Sequence, residues 1–253
     1  MVGKIMKYEF QAIFRALLYT SVVALGLSCI ARIMMAIPAA QTSAIIFSAL
    51  AFFAACAVSV TAFVVSIGRF WQSLFKGEGY MTFSLPVSTT KLLLAKLISA
   101  ILTMFVGVGV AYVSLIIISS GFSGEWWESI IDFLKLFFNF YGSLLASDPL
   151  LIVEMIVSSI VAIPMTLLLV FLAQSLGQLS TNHRVGKTFA IVIGLVIGLS
   201  LLEGLCFDPI LAATAEVNLH LRNWLQIIVY AGVDVGSFFL IRYILSRKLN
   251  LVI

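Results

Sequence analysis

Long apolar runs alternate with short polar segments along the chain, and six of these runs are long enough to cross a membrane. A spanning helix needs about 20 mostly apolar residues. The pattern therefore predicts an all-α membrane protein with six transmembrane helices. The predicted spans cover residues 16–37, 43–67, 92–120, 150–176, 188–206 and 223–245. In domain terms, helices 1 and 2 occupy 16–67, helix 3 occupies 92–120, and helices 4 to 6 with a short tail occupy 150–253.

Composition supports lipid as the solvent of these runs. Hydrophobic residues make up 62% of the 253 residues and charged residues only 10%, whereas a soluble domain carries about 25% charged residues. The three cysteines, Cys29, Cys56 and Cys206, lie in or beside apolar runs without metal-ligand spacing. We interpret them as small packing residues and predict no metal site.

Residues 1–15 have the pattern of an amphipathic helix. Apolar Ile5, Phe10 and Ile13 can share one helical side, whereas Lys4 and Lys7 lie more toward the other. This pattern predicts an N-terminal interfacial helix with its basic side toward anionic lipid. A frayed, charged terminus is the alternative. The first apolar run also continues too far for a cleavable signal peptide, so none is expected.

Two further segments favour the membrane boundary. Residues 121–149 hold several acids and the pair Trp126 and Trp127, and tryptophan favours the water–lipid interface. We predict an extracellular interfacial segment there, with a buried extra span as the alternative. Residues 207–222 contain the break Asp208-Pro209 before a short helix-like run. A partly inserted hairpin and a surface helix both fit them.

Basic residues fall mainly on one side of the predicted spans. Twelve lie in segments assigned to the inner side and three in segments assigned to the outer side. Cytoplasmic loops carry the excess of Lys and Arg, so both termini are predicted to be cytoplasmic. The net charge of +4 therefore indicates orientation rather than a nucleic-acid partner.

Several ionisable residues lie inside or near predicted spans, and Arg32, Glu203 and Asp234 are the deepest candidates for a function. A charge near the bilayer centre costs about 2.5–3.5 kcal/mol on insertion scales. Such groups face protein or a water-filled path, and Arg32 with Glu203 is a predicted pair. We predict a substrate path lined by these three residues. Ion pairs or hydrogen bonds that merely hold helices together are the alternative, as they are for Glu154 near the outer end of the fourth span.

Signals for catalysis are absent from the sequence. Gly186-Lys187-Thr188 resembles the end of a phosphate-binding loop, but that motif needs glycine where the chain has Thr181. No H-E-x-x-H or G-x-S-x-G pattern occurs. We predict no catalytic residue, no cofactor and no nucleotide site in this chain, and hence no enzyme activity of its own.

The most polar interruption between spans, residues 68–91, is predicted to be a cytoplasmic coupling loop. It contains GEGYMTFSLPVS from residue 77, followed by KLLLAKL from residue 91. This segment resembles the corresponding part of type-2 permeases of bacterial ABC transporters. The six-span plan and amphipathic N-terminus extend the resemblance, whereas the long segment 121–149 departs from the compact family plan.

The resemblance implies that a separate cytosolic ATPase supplies ATP and Mg²⁺ chemistry and binds a coupling helix between the second and third spans. Headgroup anchoring is the alternative role for the aromatic residues in that helix. The implied coupling residues are Arg69, Phe70, Trp71, Leu74, Phe75, Glu78 and Tyr80.

By the same resemblance, the chain is expected to be the permease subunit of an ATP-driven exporter in the bacterial cytoplasmic membrane. It would pair with a second, identical or related permease and move an amphipathic, peptide or lipid-like molecule outward, as in antimicrobial peptide resistance. The alternative is a membrane protein without an ATPase partner. That protein would be a proton-coupled carrier using Glu203 and Asp234, or a membrane anchor.

Overall fold

A computed structural model of the chain describes residues 2–76, 87–123, 126–180, 183–207 and 219–247. Of these residues, 96% are helical and none lies in a strand. A 3-10 turn at Pro38–Ala40 and a π-helical turn at Glu203–Phe207 accompany the longer helices. These are α1 (Val2–Met35), α2 (Gln41–Phe75), α3 (Thr89–Ser123), α4 (Trp126–Ser147), α5 (Pro149–Gln178), α6 (Arg184–Leu202) and α7 (Leu219–Arg247).

Local sequence accounts for several helix ends. Pro38 opens the 3-10 turn between α1 and α2, where its missing N–H costs nothing. Asp148 caps α5 by accepting a 3.3 Å hydrogen bond from the Leu151 N–H. His183 adopts the left-handed conformation, φ 53°, directly before α6 begins. These features set where α2, α5 and α6 begin.

Six of the helices, α1, α2, α3, α5, α6 and α7, are long and apolar enough to cross a membrane. The predicted all-α class with six spanning helices is confirmed at that level, and it indicates a multi-pass membrane protein. Residues within 121–149 form the separate helix α4, and its predicted interfacial position stays a prediction. Most of the segment 207–222 lies outside the described residues.

Two predicted boundaries differ from the structure. Residues 2–15 do not form a separate helix but continue without a break into the rest of α1. Helix α2 runs on through Phe75, past its predicted end at residue 67. No proline interrupts either stretch, so the hydrogen-bond ladder of each helix simply continues. A distinct interfacial helix and a distinct coupling helix are thus not seen among the described residues.

The helices divide into two compact units. The first consists of Met1–Arg69 and Ile98–Ser143, and the second of Phe70–Leu97 and Leu144–Ile253. In the first unit, α1 and α2 contribute Leu17, Ala24, Val58 and Ala62 to a buried cluster. A Cβ added to Gly107 of α3 would lie only 2.7 Å from the Ala62 Cβ. Glycine therefore permits the close approach of α3 to α2.

In the second unit, α5 packs against both α6 and α7. Contacts between α5 and α7 pair early residues with early residues, so these two helices run parallel. Thr188 near the start of α6 lies against Gly177 near the end of α5, so α6 runs antiparallel to α5. The buried residues of α5 concentrate in its second half, between Leu167 and Gly177.

Candidate functional site

The end of α2 and the start of α3 form a tightly packed support in the second unit. We call it the anchor cluster and define it as Phe70, Ser73, Leu74, Leu93, Lys96 and Phe171. The rings of Phe70 and Phe171 stack in parallel, with centroids 3.8 Å apart and planes 4° apart. Phe70, Leu74, Leu93 and Phe171 are each at most 2% exposed. The last two turns of α2 are therefore fixed against α5.

A buried lysine ties α3 to the same cluster. Lys96 is only 4% exposed, and its Nζ donates a hydrogen bond to the Oγ of Ser73, which is itself 1% exposed. A buried ammonium is costly unless it is hydrogen-bonded. This bond joins the first turns of α3 to the last turns of α2. The last turns of α2 and the first turns of α3 are therefore held together.

The predicted coupling residues divide into packed and accessible groups. Phe70 and Leu74 face inward, so the prediction that they offer apolar contacts to a partner needs correction. Residues 70 and 74 are four apart and share one helical face, whereas Trp71 and Phe75 lie on the neighbouring face. Trp71 and Phe75 are half-buried, and their rings meet edge to face at 5.7 Å.

The remaining predicted coupling residues have different outcomes. Arg69 donates to Glu9 of α1 at 3.2 Å, within the first unit. The sequence pattern of residues 1–15 did not indicate that Glu9, at 8% exposed, would be a buried acid. Glu78 and Tyr80 lie outside the described residues.

A second polar cluster lies where α5 and α7 begin. His220 stands between two carboxylates, with Nδ1 3.0 Å from Glu154 Oε1 and Nε2 3.1 Å from Asp148 Oδ2. The Asn223 side chain donates to Glu154 Oε2 at 2.7 Å. An imidazole nitrogen can donate or accept a hydrogen bond, and the ring donates to both carboxyl groups only when it carries two ring protons. Glu154, 1% exposed, is thus paired rather than isolated.

Further along α7, a hydrogen-bonded chain links α7 to the π-helical turn after α6. Gln226 Nε2 donates to the Tyr230 hydroxyl at 2.7 Å, and that hydroxyl donates to Glu203 Oε1. Between α5 and α7 lies a cavity of about 260 Å³ whose lining includes Glu154, Asn223, Gln226 and Tyr230. Polar groups at both ends of this cavity are therefore already held in place by the helices.

A second cavity, of about 240 Å³, lies between α5 and α6. Its wall is mainly aliphatic and includes Leu169, Val170 and Leu199, and Glu203 also lines it. Such a groove offers an apolar surface with one acidic group. That combination suits an amphipathic molecule.

The predicted path residues belong to different units, with Glu203 and Asp234 in the second. Glu203 bonds to Tyr230 within the second unit. Asp234 lies one turn beyond Tyr230 on α7, and its Oδ1 is buried without a hydrogen-bond partner among the described residues. Arg32 belongs to the first unit. Its pairing with Glu203 stays a prediction.

No sequence motif predicted that His220 lies between Asp148 and Glu154. His220 and Asn223 are three residues apart and therefore share a helical face, which was an available signal. Their partners on α5 are more than 60 positions away in sequence. Only the parallel packing of α5 and α7 brings the four side chains together.

Comparisons with known proteins found no match to this chain. No family model matches the sequence, and neither a curated protein nor a solved structure matches it. The described helices define a multi-pass, all-helical membrane protein by their length and composition.

Proposed function

We propose that the chain is the membrane subunit of an ATP-driven ABC exporter. A separate cytosolic ATPase binds ATP and Mg²⁺, and a second permease subunit completes the transport path. The protein lies in the bacterial cytoplasmic membrane with both termini in the cytoplasm, as the placement of its basic residues favours. The motif between residues 77 and 97 is the sequence support for this proposal.

The anchor cluster is the structural observation that carries the proposal. A subunit driven by a soluble motor needs a rigid element that transmits displacement into the spanning helices. The stacked Phe70 and Phe171 fix the end of α2 to α5, and the bond from Lys96 to Ser73 fixes the start of α3 to α2. A displacement of the last turns of α2 and the first turns of α3 is therefore transmitted to α5, because packed interiors transmit strain.

The motor contact in this proposal comes from the accessible face of the α2 end. Trp71 and Phe75 are half-buried, while Gln72 and Lys76 are exposed. Aromatic residues dominate binding energy at protein interfaces when they enter a partner's pocket. Trp71 and Phe75 are thus the proposed apolar contacts, and Phe70 and Leu74 hold them in position.

The test is ATP hydrolysis by complexes purified from the native membrane in mild detergent. The tagged wild-type chain should carry Mg²⁺-dependent ATPase activity that the chain produced alone lacks. The double variant Trp71→Ala/Phe75→Ala should lose at least about tenfold of the co-purified activity, since hot-spot truncations cost about 2 kcal/mol or more. Trp224→Ala, a half-exposed tryptophan at the start of α7, is the matched control and should retain it.

Two results would contradict the exporter proposal. One is ATP hydrolysis by the isolated chain, and the other is full activity in the Trp71→Ala/Phe75→Ala variant with an unchanged unfolding midpoint. The direction and cargo require a transport assay in vesicles. The groove between α5 and α6 supports an amphipathic, peptide or lipid-like cargo, because its aliphatic wall takes an apolar tail and Glu203 takes a polar end.

A proton-coupled carrier is the second candidate, favoured by two observations in α7 and its neighbour. Glu203 accepts a hydrogen bond from Tyr230, and Asp234 carries a buried carboxylate oxygen without a partner among the described residues. Ionisable groups inside membrane helices commonly mark proton relays. Proton-driven flux by the purified chain in liposomes, lost in Asp234→Asn, would establish this function instead.

A further inference from the structure

The cavity between α5 and α7 has a wall that mainly accepts hydrogen bonds. Ser158 and Ser159 both donate their hydroxyl protons to the backbone carbonyl of Met155, at 3.0 and 2.7 Å. Each hydroxyl has one proton and two lone pairs, so these serines retain only acceptor capacity. Both side chains line the cavity.

The other polar groups of the wall also use hydrogen-bond donors in bonds within the protein. One N–H of the Asn223 amide goes to Glu154 and one N–H of Gln226 goes to Tyr230, whose own proton goes to Glu203. Each amide retains its carbonyl oxygen and one N–H, and the Tyr230 oxygen retains a lone pair. Acceptors therefore outnumber donors on this wall.

The cavity wall also includes an acidic side chain. Glu154 lines the cavity and is 1% exposed, and none of the cavity's described lining residues is a lysine or arginine. His220 is the nearby basic group, but Asp148 lies 3.1 Å from its other ring nitrogen. Two carboxyl groups share this one histidine, so acidic groups outnumber basic ones beside the cavity. A guest cation is therefore favoured over a neutral or anionic one.

The cavity is larger and more mixed in character than a site for a bare metal ion. Its volume of about 260 Å³ exceeds the roughly 30 Å³ share of one water molecule several times over. Met155 and Ala162 provide an apolar part of the wall. A guest with an alkyl stem and a donor-rich cationic head matches both parts.

We propose that this cavity is a binding site for a primary alkylammonium group. The three N–H donors of the ammonium meet Glu154, Ser158 and Ser159, and its alkyl stem lies against Met155 and Ala162. The proposal does not depend on ATPase coupling. Two sources carry this chemistry, a soluble alkylamine and the headgroup of phosphatidylethanolamine.

The experiment measures binding to the isolated full chain in phosphatidylcholine nanodiscs by titration calorimetry. The probes are propylammonium chloride, tetramethylammonium chloride and sodium chloride at equal ionic strength. Propylammonium should bind saturably and at least about tenfold more tightly than tetramethylammonium, which has the charge but no N–H donors. Adding phosphatidylethanolamine to the nanodiscs should weaken this binding if the headgroup is the natural occupant and leave it unchanged if a soluble amine is.

Substitutions in the cavity wall test whether its hydroxyl groups bind the ammonium group. Ser158→Ala/Ser159→Ala should weaken propylammonium binding about tenfold, because charge-assisted hydrogen bonds are lost. The control Ser48→Ala/Thr61→Ala removes two exposed hydroxyls that also donate back into their own helix, and should bind like wild type. Equal binding of all three cations, or an unchanged affinity in Ser158→Ala/Ser159→Ala, would overturn the proposal.

Discussion

The stack of Phe70 on Phe171 is predicted to be a main source of stability in the second unit. The rings lie 3.8 Å apart at 4°, and the two side chains are 2% and 1% exposed. We expect Phe70→Ala to remove about 100 Å³ of packed volume, which at roughly 24 cal/mol per Å³ is about 2.4 kcal/mol. Loss of the aromatic pair adds about 1 kcal/mol. Moving the side chain from the protein core to lipid contributes little to this free energy, because lipid is as apolar as the protein core.

Phe70→Ala is thus expected to lower the free energy of unfolding by about 3 kcal/mol. Phe70→Leu retains most of the volume and should cost about 1 kcal/mol. The matched control is Phe53→Ala, also on α2 but 69% exposed, which should change stability by less than about 0.5 kcal/mol.

The assay is equilibrium unfolding in mixed micelles with increasing sodium dodecyl sulfate, followed by circular dichroism. The loss in free energy of unfolding should be largest for Phe70→Ala, smaller for Phe70→Leu and smallest for Phe53→Ala. If Phe70→Ala loses no more stability than Phe53→Ala, then the end of α2 is not anchored through this stack. The proposed rigid coupling element would then be refuted as well.

Three further predictions use the same unfolding assay. A double-mutant cycle of Glu9→Gln and Arg69→Gln should show a coupling of about 1 kcal/mol for their partly buried pair, and strict additivity would contradict it. Gly107→Leu should lower the free energy of unfolding by about 1–3 kcal/mol, because the new Cβ would collide with α2. Gly109→Leu is the control and should cost far less, because the space around Gly109 is open. Equal costs would refute the close approach of α3 to α2. Tyr230→Phe should cost about 0.6 kcal/mol, typical of one hydrogen bond between membrane helices, and no loss would show that this bond is not stabilising.

The predicted and observed helices agree best where the apolar runs are long. Inside lipid every backbone polar group needs an internal partner, so an apolar run of about 20 residues has little choice but to form a helix. The ends were harder to place. Helix α2 continues to Phe75 because its polar and aromatic last turns pack against α5, which the sequence pattern of α2 alone does not reveal.

The individual polar residues were identified from sequence, but their partners were not. Asp234 and Glu203 were correctly located inside spanning helices, yet the bond of Glu203 to Tyr230 depends on how α6 and α7 meet. The sequence did not indicate a partner for His220, and packing places it between two carboxylates.

The sequence by itself determined the number of spans, their approximate limits and the polar residues they contain. Only the tertiary structure decided which face of each helix meets protein and which meets lipid. The physical reason is that lipid and protein interior are equally apolar, so hydrophobicity does not orient a helix about its own axis. Side-chain shape and hydrogen bonding do, and they turn Phe70 and Lys96 inward while leaving Trp71 accessible on the neighbouring face.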